Sequence, residues 1–204
     1  MITINYELRG IELIYIFIKR KNKCTQKVLD GVAPSLKFDV MEQRQQKWPG
    51  KITTQKYAKP NLSRIWFSKV SQECVQLINS FGIPWVQSPG EAEAICAFLN
   101  SNKLVDACIT NDGDAFLYGA ETVYRHFTMD SRDSSVCVFH MHRILDVLNL
   151  TKCDLVLLGL LLGCDYWTNG VSRLGPIGAL RLVESLKAAN QHVDEHFLLE
   201  IYLG

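Results

Sequence analysis

Leu104-Val105-Asp106-Ala107-Cys108-Ile109-Thr110-Asn111-Asp112-Gly113-Asp114 is the stretch on which the fold turns. Residues 104–109 have the apolar content and length of a buried strand, so Asp112 and Asp114 fall at or just past its C-terminal end. An i, i+2 pair there can still point to one side, and open parallel sheets bind ligands at that edge. Outward from this strand, Pro84 to Gln87 reads as a second strand and Glu91 to Asn100 as a helix, preceded by a long helix from Leu62 to Phe81. Further strands are expected near Thr122 to Phe127 and Val136 to Phe139, with helices after His140 and from Thr151. Toward the N-terminus the pattern predicts an amphipathic helix from Leu8 to Ile18, a strand ending at Asp30, a helix from Leu36 to Gln46 and a polar loop from Gln45 to Pro60 carrying Pro49-Gly50. Alternation of this kind implies an α/β fold with a parallel-rich central sheet flanked by helices, and no internal repeat.

The acids are distributed in a way a solvated surface does not require. Glu91 and Glu93 lie in Gln87-Ser88-Pro89-Gly90-Glu91-Ala92-Glu93-Ala94, Asp112 and Asp114 follow the strand, and Asp165 follows the apolar helix Leu155 to Leu162. Each pair alone could be a turn or a cap, Asn111-Asp112-Gly113-Asp114 being an ordinary Asp-Gly turn in form. Gathered together, however, carboxylates about 4 Å apart repel by roughly 4 kcal/mol per pair at an effective dielectric near 20. They would take up protons or open the site unless a hard divalent cation intervened. Two such ions can activate a water and stabilise the leaving oxygen of a phosphodiester. Pro89-Gly90 ends one strand and a helix starts near Ala92, where i, i+2 side chains diverge by about 200°. One of Glu91 and Glu93 is therefore expected to bind metal directly and the other through water.

Composition bounds the rest. At 204 residues and 48% hydrophobic the chain can bury a substantial core. Its seven cysteines form no C-x-x-C pair, which argues for reduced thiols, and no apolar run reaches membrane length. Charge is segregated: residues 1–70 hold 14 Lys and Arg against 5 Asp and Glu, and residues 71–204 hold 8 against 16. A basic part beside an acidic, metal-loaded cleft suits a polyanion gripped on one side and cut on the other. Lys19-Arg20-Lys21-Asn22-Lys23 reads as a solvated basic run or a nuclear-import signal. The pairs His140, His142 and His192, His196 lack partners at zinc spacing. Trp48, Trp66, Trp85 and Trp167 are expected in the core, with base stacking as the alternative.

These motifs carry a family resemblance. Gly82-Ile83-Pro84-Trp85-Val86-Gln87 leading into Gly90-Glu91-Ala92-Glu93-Ala94, then Thr110 to Ala120, Thr122-Val123-Tyr124-Arg125 and Leu161-Leu162-Gly163-Cys164-Asp165-Tyr166, resemble the XPG and flap-endonuclease superfamily of structure-specific nucleases. The resemblance runs from about Val28 to Leu186 and is closest to the Gen-type Holliday-junction resolvase branch. It implies a PIN-like 5′-nuclease fold, two Mg2+ ions with Mn2+ as a substitute, and metal carboxylates at Asp30, Glu91, Glu93, Asp112, Asp114 and Asp165. Lys37 and Arg44, seven apart and so on one helical face, match the pair that neutralises the scissile phosphate. Gly170-Val171-Ser172-Arg173-Leu174-Gly175-Pro176-Ile177-Gly178 is similar to the family's helix-hairpin-helix, with Gly170, Arg173, Gly175 and Gly178 as the DNA-contacting positions. The family usually has glycine where Arg173 stands, so a left-handed turn there would be strained.

The implied organisation is a partial N-terminal nuclease region (1–61), an internal nuclease region (62–168) and a helix-hairpin-helix opening a C-terminal helical part (169–204). The implied partner is branched or flapped DNA in the nucleus, with no membrane and with dimerisation on a four-way junction as a further expectation. One departure bears on activity. The family opens with a strand that places a first catalytic aspartate, whereas the only acids before Asp30 here are Glu7 and Glu12 in the expected helix. Weak or absent cleavage by these 204 residues alone is the consequence. A magnesium-dependent endonuclease at branched DNA thus stands beside two alternatives: a catalytically incomplete branched-DNA-binding fragment, and a metal-dependent phosphatase that would leave the basic half unexplained.

Overall fold

The structure, a computed structural model, describes residues 14–18, 25–38, 40, 41, 61–128, 132 and 134–189, and every structural statement below concerns these. Its centre is a six-stranded sheet in the order β3-β2-β1-β4-β5-β6. The strands are β1 (Ile14–Ile18), β2 (Thr25–Leu29), β3 (Trp85–Gln87), β4 (Val105–Ile109), β5 (Thr122–Thr128) and β6 (Ser135–His140). The helices are α1 (Asn61–Ser80), α2 (Ala92–Ser101), the one-turn α3 (Asp114–Leu117), α4 (Met141–Leu148), α5 (Lys152–Leu162) and α6 (Pro176–Ala188).

Two expectations are corrected here. Residues 14–18 are a strand and not the end of a helix. Ile14-Tyr15-Ile16-Phe17-Ile18 is an unbroken run of β-branched and aromatic side chains, and their fit to a pleated sheet outweighs the helical spacing of the apolar residues. The sheet is also mixed instead of parallel-rich. β2 pairs with β3 and β4 with β5 in parallel, but β1 runs antiparallel to both β2 and β4, and β6 antiparallel to β5. β2, β3, β4 and β5 therefore still share one direction, and their C-terminal ends line one edge. The helix expected over Leu36 to Gln46 starts as a 3-10 turn at Ser35–Lys37. Most of its remainder, the loop from Gln45 to Pro60 and the segment from Leu8 to Leu13 lie outside the described residues.

The core sits between the sheet and α2 and α3. Val28, Val105, Cys108 and Val123 from the strands meet Ala92, Cys96, Ala97, Ala115 and Phe116, and the Phe116 ring meets Phe139 edge-on at 6.2 Å. A second cluster of Leu150, Leu157, Leu161, Ala179 and Val183 joins α5 to α6, and Ile144 and Leu155 pack against both clusters. Two buried polar side chains tie this frame. Asn100, at the end of α2, donates to the Val105 carbonyl and accepts from the amides of Glu121 and Thr122, which fixes α2 to the start of β5. Asp154 closes a capping box with Thr151 at the start of α5 and accepts from Lys187 of α6 at 2.8 Å.

Candidate active site

The shared edge of the sheet is where the acids collect. β2 ends at Leu29, so Asp30 emerges beside the turn after β3, where Ser88 N donates to the Leu29 carbonyl at 2.8 Å and Gly31 N to the Gly90 carbonyl at 2.7 Å. Position 31 must be glycine: a Cβ there would stand 1.9 Å from the Ser88 carbonyl oxygen. This close approach lets Asp30 Oδ1 accept from Ala92 N at 2.8 Å and so cap the first turn of α2. Burial of the carboxyl raises the Asp30 pKa above its ordinary value; the Ala92 amide pulls it down, and nearby Glu91 and Asp112 push it up.

Glu91 and Glu93 diverge, as the helix start requires. Glu91 is the extended residue before α2, and its carboxylate is fully engaged: Oε1 accepts from Lys37, and Oε2 accepts from the hydroxyls of Tyr118 at 2.9 Å and Tyr166 at 2.7 Å. Burial works to raise its pKa, but these donors outweigh burial and hold it below the usual carboxylate range. Lys37 also lies 3.1 Å from Asp165 Oδ2 and 5.3 Å from the centroid of the Tyr166 ring. Glu93 has the opposite fate. It is buried within α2, and burial together with the charges of Asp30, Asp112 and Glu91 lifts its pKa to about 8.

Asp112 and Asp114 do not continue the strand. Beyond Ile109 the chain turns: Asp112 N donates to Thr110 Oγ1, and Asp114 N donates to Asp112 Oδ1 at 2.9 Å, so the first acid caps the one-turn helix that the second begins. The turn is held from β5, where Arg125 donates to the Asn111 carbonyl at 2.5 Å and His126 N to Asn111 Oδ1 at 2.8 Å. Burial and then the charge of Asp112 raise the Asp114 pKa to about 6, with Asp165 and Glu91 adding to it and Lys37 opposing. Asp165 sits past the end of α5 in a turn closed by a Cys164–Trp167 bridge. That turn is packed against Gly170, whose φ is +51° and where a Cβ would meet the Gly163 amide and the Leu161 carbonyl at 2.7 Å.

The structure thus gathers Asp30, Lys37, Glu91, Glu93, Asp112, Asp114 and Asp165 into one electrostatically connected group. Arg44 lies outside the described residues. Tyr118 and Tyr166 are residues of this group that sequence reasoning did not single out, although each follows a motif acid, one by a helical turn and the other directly. Beside them opens a cavity of about 640 Å³ lined by Pro34, Pro89, Ala94, Leu117 and Leu160.

Comparison with known proteins bears on this group directly. Residues 82–165 match the family model "XPG I-region". The chain belongs to the XPG/flap-endonuclease superfamily. It is 46% identical over 160 residues to "Flap endonuclease GEN homolog 1" of Homo sapiens, covering 78% of this chain and 17% of that protein. It is 36% identical over 174 residues to "Flap endonuclease GEN" of Drosophila melanogaster, covering 78% of this chain and 24% of that one. Among solved structures, human GEN1 in complex with Holliday junction DNA is similar at a TM-score of 0.62 and 44% identity, covering 79% of this chain and 38% of that chain. Flap endonuclease-1 from Methanococcus jannaschii is similar at 0.59 and 29%, covering 80% and 55%. The chain therefore spans about a fifth of the length of the GEN relatives it matches.

Within this superfamily chain the donor set is all oxygen, the kind a hard divalent cation takes, and a cation would relieve the crowding of carboxylates that helps to raise the Glu93 and Asp114 pKa values. In kind the residues fit. Yet among the described residues no three His, Cys, Asp or Glu side chains are arranged so that they could hold a metal. Lys37 spans Glu91 and Asp165 instead. Of the expected DNA-contacting positions, Gly175 is the extended residue before α6, Gly178 lies in its first turn, and Arg173 adopts the left-handed φ of +64° at which strain was expected. His140 and His142 stack on each other at 5.2 Å, and His140 shares a hydrogen bond with Thr122. His192 and His196 lie outside the described residues, as does Trp48. Trp85 is only partly buried and Trp167 is 48% exposed, so these two do not form the core as expected. Both are amphipathic rings, and Trp85 spends its indole N–H on Asn79 at the surface. The described cysteines are all free thiols, and no described helix is long and apolar enough to cross a membrane.

Proposed function

We propose that this chain is the nuclease-core portion of a magnesium-dependent, structure-specific DNA endonuclease that hydrolyses phosphodiesters near a branch point, on four-way junctions and 5′ flaps, in nuclear DNA repair and recombination. The observation that carries this reading is the convergence of six acids and Lys37 from separate segments on one sheet edge. Asp30, Glu93, Asp112, Asp114 and Asp165 would hold the two ions. Glu91, whose oxygens are spent on Lys37, Tyr118 and Tyr166, would act through water. When bound, Mg2+ supplies an activated water and stabilises the leaving oxygen, and Mn2+ substitutes for it. Lys37 and Arg44 steady the phosphate by charge. The basic N-terminal third, and a helix-hairpin-helix at Gly170, Arg173, Gly175 and Gly178, grip duplex backbone without reading bases. Two copies of the chain would meet on a four-way junction.

One observation favours a second reading, a branched-DNA-binding fragment that keeps the fold without a complete metal site. The acids that gather among the described residues are not arranged to hold a metal, and a lysine already neutralises two of them. Cleavage and gel-shift assays on one labelled four-way junction, with Mg2+ or with EDTA, separate the two. Product that appears only with Mg2+ and disappears in D112N supports the endonuclease. Tight binding without product under all conditions supports the fragment. Indifference to competing duplex DNA would count against both and for a small-substrate phosphatase.

A further inference from the structure

The turn that carries Asp165 also presents a large aromatic ring to solvent. Trp167 follows Tyr166 directly and is 48% exposed. Its backbone is braced: it exchanges two hydrogen bonds with Cys164, at 2.9 and 3.1 Å, and beyond the turn Val171 N donates to the Leu161 carbonyl at 2.7 Å. Gly170 closes the turn against Gly163 with no room for a Cβ. A rigid, outward-facing indole of this kind offers a flat apolar face at little entropic cost.

Beside it opens a cavity of about 340 Å³, between this turn and the chain that follows β2. Trp167, Leu36 and Val40 give it apolar walls, and Ser35, Thr168 and Asn169 add hydroxyl and amide groups that can pair with the polar rim of a ligand. That size and mixture suit a small heteroaromatic ring and are too compact for the run of anchors by which a helix docks. Tyr166 lines the cavity too, and its ring centroid is 5.3 Å from the Lys37 ammonium. The cavity thus adjoins the cation proposed above for the DNA phosphate, and Leu36 and Lys37 are consecutive residues of one 3-10 turn.

We propose that this cavity is a nucleobase subsite, in which an unpaired base next to the phosphate at Lys37 stacks on Trp167. The proposal rests on the branched-DNA reading of the site and deepens it, by naming an unpaired base beside the branch as the feature that the chain tells from continuous duplex. A base inside a duplex would first have to leave its stack. Stacking uses the π face that every base has, so the subsite selects strand state and not sequence.

The test is DNA binding by the whole chain in EDTA, read by fluorescence anisotropy on a 5′-flap duplex and on a continuous duplex of the same length. Trp167→Ala should weaken flap binding about tenfold and leave duplex binding within about twofold. Trp167→Phe, which keeps a ring, should stay within about threefold of wild type on both. Unchanged flap affinity in Trp167→Ala overturns the proposal, as does an equal loss on both DNAs or a loss in Trp167→Phe as large as in Trp167→Ala. Should Trp167→Ala fail to fold, photocrosslinking of the wild type decides. Iododeoxyuridine as the first unpaired nucleotide of the flap should crosslink to Trp167, located by mass spectrometry, and crosslinks confined to other residues overturn the subsite. Wild-type chain that binds neither DNA sinks the branched-DNA reading and this proposal together, whereas flap binding that ignores Trp167 sinks this proposal alone.

Discussion

Glu93→Gln should stabilise this protein at neutral pH and leave it unchanged in acid. Glu93 is 8% exposed, and burial followed by three neighbouring carboxylates lifts its pKa from 4.5 to about 8. An acid whose folded pKa is raised lends stability that is complete below the unfolded value and is lost as pH climbs toward the folded one. The loss therefore accrues between about pH 4.5 and 8. At pH 7.5 the unfolded carboxyl is ionised and the folded one mostly protonated. Three units of linkage at about 1.4 kcal/mol each then give an upper figure of about 4 kcal/mol. Asp30, whose own pKa is raised, shares the burden, so a gain of about 2 kcal/mol is the working expectation. Glutamine keeps the shape and cannot ionise. Urea denaturation of both proteins in EDTA at pH 5 and pH 7.5 reads the effect: curves nearly superimposed at the lower pH, and the variant more stable at the higher one. Mg2+ should narrow the gap at pH 7.5, because ion binding relieves the wild-type charge. A gain of the same size at both pH values would show that packing, and not crowded charge, sets the stability of this position.

Gly31→Ala should destabilise by about 3 kcal/mol or more, since its Cβ would overlap the Ser88 carbonyl and that backbone has no side chain to yield; thermal melting checks it. Arg173→Gly should raise stability by about 0.5 kcal/mol or more, the relief of a left-handed φ of +64° exceeding the added freedom of the unfolded glycine; urea midpoints measure it, and a loss would show that the arginine side chain holds the turn. Asn100→Ala should cost about 2 kcal/mol by removing the buried side chain that accepts from the amides of Glu121 and Thr122, and hydrogen exchange at those two amides should accelerate with it.

Most of the architecture was legible because its signals are local. The long helix α1, the strands β3 and β4, and the helices after His140 and Thr151 fall where periodicity and turn residues place them. The N-terminal strand was not, since residues 14–18 fit two periods and pairing with β2 and β4, which no local rule sees, selects one. At the site the acids were legible by spacing and their roles were not. The sequence places Asp112 and Asp114 two apart, which reads as a strand pair. Only the Thr110 hydroxyl and the Asp112 carboxylate, by capping successive amides, turn that pair into a helix start. Tyr118 and Tyr166 gave no signal of their own, because a phenol's partner lies across the fold.

The direction of β1 bears on the choice between the two functional readings. In register, Ile14 faces Val28 and Tyr15 faces Ile109, so β1 brings its start to the edge where β2 and β4 bring their ends. Residues following β1 depart from the opposite edge. Among the described residues, the carboxylates of the cluster come from segments that flank this central slot of the sheet: the ends of β2 and β4, the start of α2 and the turn after α5. Lys37, on the turn just after β2, reaches Glu91 and Asp165 from one of these flanks.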